Sequence, residues 1–112
     1  MNIYVSESDY YFTVFNSFEE IINYNKIIYI CCDRNNLTIL PKLPNSLQNL
    51  WCNHNQLTSL PKLPNSISRI NCSDNQLTSL PDLPNSLEEL TYYNNKFIKT
   101  QSYKYLKVIV DL

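Results

Sequence analysis

The side chains with the richest chemistry in this 112-residue chain are its one histidine, His54, and four cysteines, Cys31, Cys32, Cys52 and Cys72. A thiol activated by an imidazole that a carboxylate orients is a common nucleophile. Cys31, His54 and Asp74, with Ser73 as a hydroxyl alternative, are the residue types it needs. Such a set works only within hydrogen-bonding reach in a water-shielded site, and a shallow sheet surface offers none. Zinc is the other chemistry of cysteine and histidine, but its sites pair cysteines two to four residues apart. Here Cys32, Cys52 and Cys72 are spaced by 20, while the adjacent Cys31 and Cys32 face opposite sides of an extended strand. No metal and no cofactor is expected. With no glycine anywhere, the chain also has no glycine-rich loop to cradle a phosphate.

The cysteine spacing belongs to a period that runs through most of the chain. Four registers can be written: Ile27, Ile30, Cys32, Asn35, Leu37; Leu47, Leu50, Cys52, Asn55, Leu57; Ile67, Ile70, Cys72, Asn75, Leu77; and Leu87, Leu90, Tyr92, Asn95, Phe97. This is the L-x-x-L-x-L-x-x-N-x-L signature of leucine-rich repeats. The alternation at its centre predicts short strands near 28–32, 49–53, 69–73 and 89–93, stacked about 4.8 Å apart in a parallel sheet. The inward column then holds Cys32, Cys52 and Cys72 as small apolar residues. Asn35, Asn55, Asn75 and Asn95 form a structural ladder whose amides serve the turn backbone, because an unpaired buried polar group costs about 1–3 kcal/mol. Asparagine also tolerates positive φ, which suits it to the turns of a chain without glycine.

Between strands the chain returns through LPxLPNS, as in Leu40 to Ser46. Two prolines three apart bar a helix, so the convex side is expected to be extended, near polyproline II. The P-x-x-P spacing matches SH3-domain ligands, but the solenoid already accounts for it.

Residues 27–97 resemble the 20-residue bacterial-type repeats of secreted effectors of the YopM and IpaH kind, which carry the same LPxLPxxLxxL phrase, and similar arrays are encoded by giant DNA viruses. The resemblance implies an α/β-class leucine-rich-repeat solenoid with little helix, used for protein recognition. Cysteine replaces the usual aliphatic residue at Cys32, Cys52 and Cys72. There is no room for the ubiquitin-ligase domain of IpaH-type effectors, so no ligase activity is implied.

Side chains between the core positions should point out of the concave face. The columns are Tyr29, Asn49, Arg69, Glu89; Cys31, Trp51, Asn71, Thr91; and Asp33, Asn53, Ser73, Tyr93, flanked by Arg34, His54, Asp74, Asn94. Tryptophan, tyrosine and arginine most often dominate binding energy. The expected partner-binding residues are therefore Trp51, Tyr29, Arg69, Tyr93, His54 and Asn71, in a non-enzymatic module for a protein partner.

The two ends should cap the array. Within 1–26, Ile3 to Val5 and Tyr11 to Phe15 alternate like strands, and Ser17 with Glu20 reads as a capping box for a short helix bearing Phe18, Ile21 and Ile22. That segment is expected to lid the first repeat. Residues 98–112 are expected to form a cap or degenerate fifth repeat, with a strand at 105–110. Residues 1–26 carry a net charge of −3 and residues 96–112 a net of +3. The alternative function is therefore a structural or particle-associated protein that self-assembles weakly, head to tail. Overall charge is −1, which excludes a basic field for nucleic acid, and no run of apolar residues is long enough to span a membrane. The N-terminus lacks a secretory signal pattern, so the expected location is the cytoplasm, including that of a host cell.

Overall fold

The computed structural model describes residues 1–97 and the backbone of 108–110. Seven strands form one sheet: β1 Ile3–Ser6, β2 Thr13–Phe15, β3 Tyr29–Cys31, β4 Asn49–Trp51, β5 Arg69–Asn71, β6 Glu89–Thr91 and β7 Val108–Val110, in the order β2-β1-β3-β4-β5-β6-β7. From β3 to β7 every pairing is parallel. The period sets the register, since Tyr29, Asn49, Arg69 and Glu89 are successive partners, as are Cys31, Trp51, Asn71 and Thr91.

Each repeated strand is three residues long, shorter than expected, because the chain bends away after it. Backbone pairing nevertheless continues: the amides of Cys32, Cys52 and Cys72 bond the carbonyls of Trp51, Asn71 and Thr91, and those of Arg34, His54 and Asp74 reach Asn53, Ser73 and Tyr93. The turn is made by a residue in the left-handed region at the same place in each repeat, Arg34, His54, Asp74 and Asn94, at φ 55–58°, and the first repeat adds Asn36 at 56°. The ladder asparagine follows one residue later and works through its amide, so the turn asparagines are not uniformly the positive-φ residues.

The core lies under the sheet. Ile30, Leu50, Ile70 and Leu90 form one buried column, Cys32, Cys52 and Cys72 the next, with Leu47, Ile67 and Leu87 before them and Leu57 and Leu77 after. The proline segment adds Leu40, Leu43, Leu60 and Leu63 from the opposite side. There the chain is non-helical. A turn closes each repeat, with the amides of Leu47, Ile67 and Leu87 bonding the carbonyls of Pro44, Pro64 and Pro84 at 3.1 Å. Pro44 and Pro64 are themselves buried, so these rings serve as core.

The first 26 residues depart from expectation. β1 does not lie over the first repeat; it pairs antiparallel with β3 and extends the sheet, and β2 pairs antiparallel outside it. The expected helix is replaced by two single 3₁₀ turns, Phe18–Glu20 and Tyr24–Lys26. Ser17 makes no side-chain capping bond. Glu20 instead accepts the Asn16 amide at 3.1 Å, so half of the capping box forms, shifted by one residue. Ile21 is buried, whereas Ile22 is 72% exposed. Both lie beyond the 3₁₀ turn, and with Ile21 extended the two neighbouring side chains point to opposite sides. At the other end, β7 continues the stack beside β6. Residues 105–107 of the expected fifth strand, and Lys99, Lys104, Lys107 and Asp111, lie outside the described residues.

Candidate protein-recognition face

The asparagine ladder holds the face in shape. Asn55 accepts the amides of Asn35 and Leu37 at 3.0 Å through Oδ1, while its Nδ2 donates towards the carbonyls of Cys32 and Cys52 at 3.1 Å. Asn75 and Asn95 repeat the scheme one and two turns on, with the amides of Leu57 and Leu77 as their donors. Asn35 accepts from the Asn2 amide at 3.1 Å and donates to the Asn2 carbonyl at 2.9 Å. The first rung thus fastens the segment leading into β1.

Beneath the face, the thiols of Cys32, Cys52 and Cys72 donate to the carbonyls of Trp51, Asn71 and Thr91 at 3.5–3.6 Å. Burial pushes Cys32 and Cys72 up to about 12 and Cys52 well above the ordinary thiol value. All four cysteines are free. Cys31 is half-buried on the opposite, open side, and its thiol is also raised, mainly by burial and secondarily by the Asp33 carboxylate. A raised thiol remains protonated near neutral pH and is a poor nucleophile.

The expected contact residues do not form one cluster. Trp51 is half-buried at mid-sheet, flanked in register by Cys31 and Asn71. Tyr29 begins β3, and its hydroxyl is pushed up to about 12, first by burial and then by Cys31 and Asp33. Arg69 is exposed and turns towards Glu89, at 3.4 Å. His54 lies on the turn rim, 3.2 Å from Asp74. Tyr93 is at the far side, two strands from Trp51. In the third column Ser73 alone is fully buried, while Asp33, Asn53 and Tyr93 are half-buried; neither Ser73 Oγ nor Asn53 Oδ1 has a partner among the described residues. His54 and Asp74 therefore meet, while Ser73 is withdrawn from the surface on which a hydroxyl nucleophile would act.

The sheet extension adds residues that sequence reasoning passed over. Tyr4 is the register partner of both Val14 and Cys31, so Val14, Tyr4, Cys31 and Trp51 form one row across four adjacent strands. Tyr4 is 41% exposed and Phe12 is 54% exposed. The Phe12 ring meets Tyr29 edge to face at 5.0 Å. The signal was present in the alternation of Ile3, Tyr4 and Val5: with Ile3 and Val5 inward, Tyr4 must face out. A lid would have hidden it, and only the pairing of β1 with β3 puts it beside Cys31.

No protein-family model and no curated protein matches the chain. Solved structures do. YopM from Yersinia enterocolitica WA-314 superposes with a TM-score of 0.73 at 31% identity, over 79% of this chain and 20% of that one. The chain is a leucine-rich-repeat protein resembling bacterial effectors. A Shigella effector leucine-rich-repeat domain gives a TM-score of 0.61 at 27% identity, over 73% of this chain and 47% of that one. The leucine-rich-repeat chain described here thus spans less than half the length of either relative. Among its described residues, no group of three or more histidine, cysteine or acidic side chains could hold a metal. No helix there is long and apolar enough to cross a membrane.

Proposed function

We propose that this chain is a non-enzymatic recognition module that seats a protein partner on the open, concave face of the sheet. The contact centres on Trp51, with Tyr29 and Asn71 on the flanking strands, Arg69, His54 and Tyr93 as outlying contacts, and Tyr4 and Phe12 extending it. The observation that carries this reading is a lone tryptophan standing half-exposed at mid-sheet while leucine, isoleucine and cysteine fill the other side. The effector-like fold supports a protein as partner, and a host-cell cytoplasm as the place of action. Seven strands about 4.8 Å apart and about 10 Å long offer a few hundred Å², against about 800 Å² per partner in a stable interface. The complex is therefore weak, or the turn rim and the N-terminal strands take part. The test is affinity capture with wild type and Trp51→Ala/Arg69→Ala: loss of the partner with the double variant supports the face, and its retention refutes it.

Head-to-tail assembly is the second reading. It is favoured by exposed apolar residues crowded at one end: of the large ones described, all but Ile39 fall within residues 1–22.

A further inference from the structure

We infer that the face contains a cup for a lysine or arginine side chain of the partner, with Cys31 as its floor. This rests on the recognition reading above and names the chemistry of its central contact. Cys31 is the smallest side chain in its row, and its two register partners are aromatic: Tyr4 on β1 and Trp51 on β4. Two strand spacings, about 9.5 Å, separate the Tyr4 and Trp51 backbones, room for one slender or flat side chain above the thiol. Along β3, Tyr29 precedes Cys31 by two residues on the same face. Asp33 lies on the turn just past the strand, near enough to hydrogen-bond the Cys31 thiol and to act on the Tyr29 hydroxyl. Three walls are therefore aromatic and the fourth is a carboxylate. Phe12, packed edge to face on Tyr29, steadies that ring.

The ligand chemistry follows from the walls. Aromatic faces attract a cation within about 6 Å, and guanidinium also stacks flat on them. Asp33 is the one acidic residue among the outward-facing positions of β2, β1, β3 and β4 and the turns that follow β3 and β4, and Arg34 beside it is exposed on the rim. One of its oxygens accepts the Asn53 amide at 2.7 Å, and neither ion pair among the described residues involves it. The carboxylate is thus fixed in place without a direct ion-pair partner among the described residues. Cys31 is protonated and adds no competing charge. Further along the face the pattern ends, because Arg69 and Glu89 neutralise each other.

Trp51, the sole tryptophan, reports on the cup directly by its fluorescence. The intact chain is titrated with the pentapeptide Ac-Ala-Ala-Arg-Ala-Ala-amide, its lysine counterpart and its citrulline counterpart, which is isosteric with arginine and uncharged. The expected result is a saturable emission change with both basic peptides, and about tenfold weaker binding of the citrulline peptide. Asp33→Asn retains the acceptor for the Asn53 amide and so preserves the fold. It should weaken the arginine peptide about tenfold and abolish the salt dependence, and Tyr4→Leu should weaken it with the salt dependence kept. Equal binding of the arginine and citrulline peptides, or an unchanged affinity in Asp33→Asn, overturns the cup. The peptides require no natural partner. A cup that fails while Trp51→Ala/Arg69→Ala still loses a captured partner leaves the recognition reading standing, and the converse result refutes that reading alone.

Discussion

Cys32, Cys52 and Cys72 occupy positions where leucine-rich repeats usually place an aliphatic residue, and each thiol is spent on a carbonyl of the next strand. Burial raises all three, so the folded chain keeps protons that unfolded thiols release above about pH 8.5. Where the unfolded state binds fewer protons, stability falls as pH rises. Urea unfolding should therefore give a flat stability below about pH 8 and a decline between about pH 9 and 12. Cys52→Ala should reduce that slope by up to about 1.4 kcal/mol per pH unit. Near pH 7.5, thiol labelling of the native protein should be slow at every cysteine and least slow at Cys31, the only one not buried. One thiol that reacts rapidly would revive a Cys–His–Asp enzyme.

Elements built from the repeat were the most legible part of the chain. Twenty-residue spacing aligns Tyr29, Asn49, Arg69 and Glu89 in the sequence, and those residues pair in that order. Residues 1–26 occur once, and a single alternation such as Ile3-Tyr4-Val5 shows which side is inward without showing which edge it joins. That is why the antiparallel pairing of β1, and with it the place of Tyr4 and Phe12, was not legible. Ser17 and Glu20 misled for a different reason: a capping box needs a helix long enough to present N3, and Phe18–Glu20 is a single 3₁₀ turn. Between elements, the ladder rungs differ in burial, with Asn55 and Asn75 buried and Asn35 and Asn95 half-buried. Asn55→Ala takes the acceptor from two amides and the donor from three carbonyls, so it should cost about 2–4 kcal/mol. Asn35→Ala should cost about 1 kcal/mol, because its bonds to Asn2 lie at the exposed edge. Chemical denaturation of the two variants gives the order, and equal losses would contradict it.

At the scale of the whole molecule, the core is continuous from Ile3 to Leu90, and the open face changes character along it. Its N-terminal part is aromatic around Tyr4, Phe12, Tyr29 and Trp51, while its far part is polar and internally paired through Arg69 and Glu89. Net charges of −3 over residues 1–26 and +3 over residues 96–112 add an end-to-end asymmetry. Should the ends associate, sedimentation at low ionic strength would show concentration-dependent growth that disappears by about 0.5 M salt, where the Debye length is only a few Å. A sedimentation coefficient independent of both protein concentration and salt would remove that second reading.

The most direct measurement is quantitative affinity capture by three proteins in parallel: wild type, Trp51→Ala/Arg69→Ala on the open face, and Lys42→Ala/Lys62→Ala on the proline side, each shown to be folded by circular dichroism. The recognition account predicts that the same partner is captured by wild type and by the proline-side variant, and is lost with the open-face variant. A partner retained by the open-face variant and lost with the proline-side variant would contradict it.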